Sequence, residues 1–397
     1  MTSQYLTRCR VILPDHVIED GAIRLEGDRI SAICPEAANA DVEVDLGGAY
    51  LMPGMIDLHS DAIESLAEPR SGIYLPFDLA ARQADQLAAC HGITTLYNAI
   101  SFAGEELGLR SGDAPSRLAE AVTAHAANAV TDQRVHCRYE VTVEESLNKI
   151  LRFIENGSCD LVSYMDHSPG QGQFQDEANY RSYMTARYGY SDEMISELLD
   201  AKSTTRSDGD GIRRRVERLS AAAAECSVPL AGHDSDSSRH VDEMISLGAS
   251  LAEFPMTEEA AAAAVAAGLH QSVGSVNVIR GGSQRTGMSA LALIGSRQAD
   301  CLCSDYVPAT LLPAVLKICN ETELSLSESV GVVTLNPARA VGLTDRGQIR
   351  VGYRADLVAF EVCHLQRSLP TTIATWCGGR LAYYRSAIGS TATVLQP

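Results

Sequence analysis

The stretch LMPGMIDLHSDAIE, from Leu51 to Glu64, decides how this chain is read. Leu51, Met52, Met55, Ile56 and Leu58 describe a buried strand, broken once at Pro53-Gly54. The run nevertheless closes on His59, Ser60 and Asp61, with Glu64 just behind. Residues two apart on a strand face the same way. His59 and Asp61 are therefore expected to leave the strand end side by side, with Asp57 below them. Such a pair is either a satisfied polar contact or half of a metal site, and the rest of the chain has to choose.

Working outward, the middle of the chain alternates apolar strands with helical stretches. Strands are expected at 55–60, 93–99, 134–140, 160–166, 228–234, 250–254, 270–276 and 300–305. Helices are expected at 78–91, 115–129, 143–156, 209–226, 238–247, 257–267 and 308–318. Eight strands separated by helices fit a (β/α)8 TIM-like barrel of the α/β class. The long polar gap from Gly170 to Asp208 is expected to fold over one end of it. Both chain ends are rich in short alternating strands, which points to a small β-sandwich domain built from 1–52 and 346–397 beside a barrel at 53–345.

Active sites of such barrels lie at the C-terminal strand ends. The first strand ends in His59 and Asp61, the third in Glu140, the fourth in Asp166 and His167, the fifth in His233 and Asp234, and the eighth in Asp305. Each has a plain reading alone: Glu140 can open the next helix, and Asp305 can cap one. Together, three histidines and three carboxylates at successive strand ends form a nitrogen-and-oxygen set suited to Zn²⁺, Mn²⁺ or Fe²⁺. A carboxylate can bridge two such ions. Of the other histidines, His91 reads as a helix C-cap, His125 as surface, and His136 as a deeper barrel residue sharing a face with Arg138 and Glu140. His240 follows the HDSDSSR loop as a weaker site candidate, and His16, His270 and His364 carry no signal.

The 397 residues carry 51 acidic against 32 basic side chains, a formal charge of -19, so a polyanion such as nucleic acid is repelled over most of the surface. Eleven scattered cysteines include no Cys-x-x-Cys, and Cys301 and Cys303 fall on an apolar strand where packing explains them. No signal-peptide core and no apolar run of about 20 residues is read, so a cytoplasmic protein without a membrane partner is expected.

PGMIDLHSD, a strand-end Glu140, MDHSPGQ, GHD and SDY together resemble the amidohydrolase superfamily. Within it, LVSYMDHSPGQGQF, AEFPMTEEAAAA, VIRGGSQRTG and CSDYVPATLLPA resemble the diphosphatase family that acts on ribose 1-methylphosphonate 5-triphosphate in the carbon–phosphorus lyase pathway. The resemblance spans about Gly47 to Phe360. It implies two divalent metal ions, zinc first and manganese or iron as alternatives. Their ligands would be His59 and Asp61, Glu140 as the bridging group, His167 and His233 on the second ion, and Asp305 touching a metal and the attacking water. It implies a metal-dependent hydrolase that releases pyrophosphate from a small phosphorylated substrate, and a homodimer as the common assembly, although no interface signal is legible. Arg280 and the backbone of Gly281, Gly282 and Ser283 would meet the phosphates, with Gln284 and Arg285 beside them. Gln284 stands where that family usually has a histidine, and Arg285 is added. Hydrolysis of a cyclic amide or deamination of a heterocycle therefore stays open on the same scaffold, as does a non-catalytic metal-binding protein. The superfamily usually carries its later two histidines on strands five and six, whereas the count here gives four and five. The motif identities are preferred to the count.

Overall fold

The computed structural model describes residues 3–35, 40–104, 108–167, 177–206, 209–282, 288–363 and 369–385. Two eight-stranded sheets organise them. The N-terminal strands are β1 (Ser3–Ile12), β2 (Val17–Glu26), β3 (Arg29–Ile33), β4 (Val42–Asp45) and β5 (Tyr50–Pro53). The barrel follows as β6 (Met55–Ser60), β7 (Ile93–Phe102), β8 (Asp132–Glu140), β9 (Leu161–Met165), β10 (Leu230–His233), β11 (Leu251–Glu253), β12 (His270–Gly274) and β13 (Cys301–Cys303). The chain then returns through β14 (Leu357–Cys363), β15 (Leu369–Cys377) and β16 (Arg380–Tyr384) to complete the first sheet, in the order β16-β15-β14-β5-β1-β2-β3 with β4 on β1. Its strands are antiparallel except where β4 and β5 run parallel to β1. Leu6, Ile23, Leu51, Leu357 and Trp376 share its own apolar core.

All eight barrel strands fall where the alternation places them. They pair in parallel, in sequence order, from β6 to β13. Parallel strands covered by helices on one side and packed inside on the other read as continuous apolar runs, and β6 and β7 are buried at every residue. The helices start where local chemistry dictates. Thr257 caps Glu258–Ala266 by accepting the Ala260 N–H at 3.1 Å, and Ser237 caps Ser238–Ser246. Gly232 faces Met244 of the latter helix, and a Cβ there would lie 2.6 Å from the Met244 Cε. The missing side chain is what allows this close approach.

The seam between β13 and β6 closes differently at its two ends. At the C-terminal mouth, the Asp305 N–H donates to the His59 carbonyl (3.0 Å) and the Asp61 N–H to the Asp305 carbonyl (2.9 Å). Lower down, Val332 and Val333 insert between the two strands and accept the Leu302 and Ile56 N–H groups at 2.9 and 2.8 Å. Helix Leu335–Ala340 then plugs the bottom, its Ala338 and Ala340 packing with Ile56, Leu58, Leu161, Ala231 and Leu251.

Two expectations are corrected. His167 follows β9 and His233 ends β10, the fourth and fifth strands, so the strand count was right and the preference for the motif-based numbering was not. His125 is not a free surface group, because its Nε2 lies 3.0 Å from the buried Asp85 carboxylate. That carboxylate also accepts the Val130 and Thr131 N–H groups (both 3.0 Å) and so fixes the chain just before β8. Within the polar gap, residues 177–206 form two helices, Glu177–Tyr188 and Asp192–Arg206, around Tyr180, Met184, Tyr190 and Ile195. Among the described residues no helix is long and apolar enough to cross a membrane.

Candidate metal centre

The mouth of the barrel gathers the strand-end residues. On β8, the helix-facing side carries Val135, Cys137 and Tyr139, which join the main core, so His136, Arg138 and Glu140 face inward. His136 is fully used by the protein. Its Nδ1 donates to the Leu58 carbonyl at 3.1 Å, which leaves Nε2 to accept from the Ser163 hydroxyl at 2.9 Å. His59 is held by Glu253 of β11, whose Oε1 accepts from Nδ1 at 2.9 Å in a wholly buried contact. His59, His136 and Glu253 are close enough to chelate an ion, but these bonds occupy three of the four ring nitrogens. The group is better read as the buried support that turns His59 Nε2 toward the mouth.

The second cluster has the opposite character. His167, His233 and Asp234 place one donor atom each within 4.8 Å of one another. His167 Nε2 is 3.6 Å from Asp234 Oδ2, and the His167 and His233 rings cross nearly at right angles with centroids 5.7 Å apart. His233 Nε2, Oδ2 of Asp234 and Oδ1 of Asp61 are buried without a hydrogen-bond partner, and His233 Nδ1 has only the Asp234 Oδ1 contact at 3.2 Å. Glu140 sits against this group. Its carboxylate accepts the His167 N–H at 3.2 Å and the Thr142 hydroxyl at 3.1 Å, and lies 3.4 Å from His167 Nδ1. Buried polar atoms are rarely left unsatisfied in native proteins. A constellation of orphaned nitrogen and carboxylate donors is what a divalent transition-metal ion requires, so these residues fit one.

Backbone conformation, rather than strand alternation, assembles the set. Asp234 and Phe254 directly follow β10 and β11, Asp305 comes two residues after β13, and all three are left-handed, with φ of 54°, 54° and 57°. Alternation would send Asp234 away from His233, and the positive φ brings it back beside it. Phe254 is turned the same way onto the His59 and His233 rings, 5.0 and 5.1 Å between centroids. The Asp305 carboxylate lies next to Gly274 at the end of β12. β6 achieves the same end with a register slip between Asp57 and Ser60, so that Leu58 joins the inner apolar cluster while its neighbour His59 meets Glu253. Each left-handed non-glycine residue costs roughly 1–3 kcal/mol, and such strain persists where a site needs it. Asp57 does not join the cluster. Its Oδ1 accepts the His59 and Ser304 N–H groups (3.3 and 3.0 Å) across the seam, and burial raises its pKa to about 7.

Burial favours the neutral imidazole at His167 and at His59. Burial pushes His167 down to about 4, against the pull of Asp234 and with help from His233 and Arg138. Burial and the Arg138 charge hold His59 well below the usual histidine range. Desolvation works against the Asp234 carboxylate but is outweighed by the two histidines, and its pKa falls far below normal. Asp61 at the rim faces Arg138 Nη1 at 3.8 Å and Arg110 Nη2 at 3.9 Å, while Arg110 is itself held by Glu64 at 2.7 Å.

Of the expected site residues, His59, Asp61, Glu140, His167, His233 and Asp305 all lie at this mouth. Asp234, Glu253 and Arg138 join them and were not in the expected set. The GHD and HCRYE runs contain a signal for Asp234 and Arg138, whereas nothing local marks Glu253. Arg280 is exposed in the last turn of helix Ser275–Arg280. The Gly281 and Gly282 N–H groups both donate to the Asn277 carbonyl, at 3.0 and 3.1 Å, and Gly281 (φ 89°) ends the helix. Ser283, Gln284 and Arg285 lie outside the described residues. A cavity of about 1010 Å³ opens beside His233 and is lined also by Asp166 and His240. Its arginines are already engaged, Arg213 with Asp210 and Arg239 with Glu243.

A family model described as the amidohydrolase family matches residues 314–383. The alpha-D-ribose 1-methylphosphonate 5-triphosphate diphosphatase of Escherichia coli is 30% identical over 357 residues, covering 89% of this chain and 94% of that protein. The chain belongs to the amidohydrolase superfamily. An imidazolonepropionase of Pseudomonas aeruginosa is 28% identical over 396 residues and 92% of both chains. The solved N-acetylglucosamine-6-phosphate deacetylase of Pasteurella multocida superposes with a TM-score of 0.64 at 13% identity, over 96% of this chain and 99% of that one, and so shares the fold. Superfamily membership supports a hydrolase, and the His/Asp/Glu cluster could hold metal.

Proposed function

We propose that this amidohydrolase cleaves a phosphoanhydride of alpha-D-ribose 1-methylphosphonate 5-triphosphate, or of a related phosphonate ribose triphosphate, giving the 5-phosphate and pyrophosphate. The supporting observation is the likeness to the Escherichia coli diphosphatase across 94% of that protein. His59, Asp61, Glu140, His167, His233 and Asp305, with Asp234 added, would hold one or two divalent ions, zinc first and manganese or iron as alternatives. Such ions polarise a phosphoryl oxygen and make water nucleophilic near neutral pH.

The chain's own residues supply the rest. Glu253 fixes the His59 ring, and Phe254 covers the His59 and His233 rings and keeps bulk water off them. Asp305 accepts the proton of the water that attacks the phosphorus nearest the ribose. The bond from that phosphorus to the bridging oxygen breaks, and pyrophosphate leaves with its electron pair. Arg280 would meet the distal phosphates, with Ser283, Gln284 and Arg285 following it in sequence, whereas the Gly281 and Gly282 N–H groups expected there are already bonded to the Asn277 carbonyl and form the turn. The partner is thus a small phosphorylated molecule rather than nucleic acid, taken up by a homodimer in the cytoplasm.

Phosphorus NMR of the zinc-loaded protein with ribose 1-methylphosphonate 5-triphosphate tests the reading, which expects the pyrophosphate resonance to grow with the 5-phosphate. A second reading, hydrolysis of a cyclic amide or deamination of a heterocycle, is favoured by the 28% identity to imidazolonepropionases. Turnover of an amide or nucleobase panel with no release of pyrophosphate would replace the first reading by the second.

A further inference from the structure

Among the described residues, Arg138 is a strongly basic group inside the mouth to which the proposed chemistry gives no task. It lies on β8 between His136 and Glu140 on the inward side, and is 5% exposed. Its Nε and Nη1 have no acceptor within hydrogen-bond distance. The carboxylate facing it, Asp61 Oδ2, is 3.8 Å from Nη1, an ion-pair distance that leaves the N–H bonds unmet. Its charge acts on both His59 and His167, so the guanidinium stands within reach of both sides of the cluster. A buried charge with unmet donors costs several kcal/mol, and proteins retain one where a ligand completes it. The planar fork of N–H donors matches two oxygens of a phosphoryl or phosphonyl group. Arg213 and Arg239 near His233 are largely exposed and paired on the surface with Asp210 and Glu243, and Arg280 also stands exposed, so Arg138 differs from all three in being buried.

We infer that Arg138 is the anion receptor of this site, binding two non-bridging oxygens of a substrate phosphoryl group along the guanidinium edge that carries Nε, while Nη1 faces Asp61. This rests on the diphosphatase reading for the identity of the anion. It makes the substrate class one with a tetrahedral oxyanion already present in the ground state. Asp61, on the other side of the fork, sets the position of the guanidinium while its remaining oxygen is free for a cation.

The test compares the wild-type protein with Arg138→Met and Arg138→Lys, all zinc-loaded. Inorganic pyrophosphate and methylphosphonate are titrated by calorimetry, zinc content is measured by emission spectroscopy, and hydrolysis of the ribose triphosphate is followed alongside. Losing a charge-assisted pair of hydrogen bonds predicts pyrophosphate binding about 10- to 100-fold weaker in Arg138→Met with zinc retained. Arg138→Lys keeps the charge without the fork, predicts a partial loss, and serves alone if the Met variant does not fold. Unchanged pyrophosphate affinity in the zinc-replete variants, or no pyrophosphate binding to the wild-type protein, overturns the inference. So does recovery of full affinity when excess zinc is supplied, which would make Arg138 a support for Asp61 only. If pyrophosphate binds through Arg138 but the ribose triphosphate is not turned over, the diphosphatase reading falls and the anion receptor stands. If Arg138→Met hydrolyses the triphosphate at the wild-type rate, the receptor falls and the diphosphatase reading stands.

Discussion

Replacing Glu253 should loosen the metal centre without touching any atom of the expected ligand set. Glu253 lies on the sixth barrel strand, wholly buried, with Oε1 accepting from His59 Nδ1 at 2.9 Å and Oε2 3.8 Å from His136 Nε2. Because a carboxylate only accepts, the ring proton is fixed on Nδ1 and the Nε2 lone pair faces the mouth. Glu253→Ala removes that restraint, leaves a buried N–H unmatched, and lets the ring rotate or protonate on the other nitrogen. Outer partners of metal-bound histidines are typically worth 10- to 100-fold in metal affinity, or about 1.4–2.8 kcal/mol. The range agrees with the roughly 1.5–3 kcal/mol of a hydrogen bond to a charged group. Glu253→Gln keeps the volume and one acceptor and should fall between wild type and Ala. Zinc affinity measured against a competing chromophoric chelator reads the effect, and the visible spectrum of the cobalt-substituted protein reports the change in ligand orientation. Wild-type affinity and an unaltered cobalt spectrum in Glu253→Ala would refute the positioning role and reopen His136 and Glu253 as part of a separate site.

Three further outcomes follow from the geometry. Asp234→Asn should lower metal stoichiometry or affinity at least as much as Glu253→Ala, since it removes a charged donor beside His167 and His233; full zinc content by emission spectroscopy would exclude Asp234 as a ligand. Gly54 joins β5 to β6 with Thr94 so close that an added Cβ would lie 2.7 Å from the Thr94 Cβ, so Gly54→Ala should cost roughly 1–3 kcal/mol in urea unfolding, against no loss if the backbone can shift. The metal-free protein should lose stability as pH falls from about 6.5 toward 4. His167 (about 4), His136 (about 3) and His59 (well below normal) stay neutral in the fold, while the unfolded chain takes up their protons. Asp57, raised to about 7, acts with the opposite sign over this range, because its fold-specific proton stabilises the native state at lower pH. Three protons against one leave a net slope of up to roughly 2.7 kcal/mol per pH unit, and a flat or inverse profile in chemical denaturation at pH 7, 6 and 5 would contradict the burial of these rings.

The sequence by itself determined the barrel and most of its mouth. Strand positions are local properties, because a parallel strand buried on both sides must be apolar along its length. A histidine or carboxylate that ends such a run is conspicuous, and so His59, Glu140, His167, His233 and Asp305 were legible together with their strand numbers. What only the tertiary structure decided lies wherever alternation breaks. The register slip in β6 and the left-handed backbone at Asp234, Phe254 and Asp305 are departures that few non-glycine residues make, least of all a bulky Phe, and the surrounding packing imposes them. They decide that Asp234 joins His233 rather than opposing it. Glu253 meets His59 across 194 positions of sequence, and His125 meets Asp85 across 40, pairings that only closure of the barrel and its helical layer brings about. Whether a polar atom has found a partner is likewise a three-dimensional fact. That difference makes His136 a filled support, and leaves His233 and Arg138 as groups with hydrogen bonds still to make.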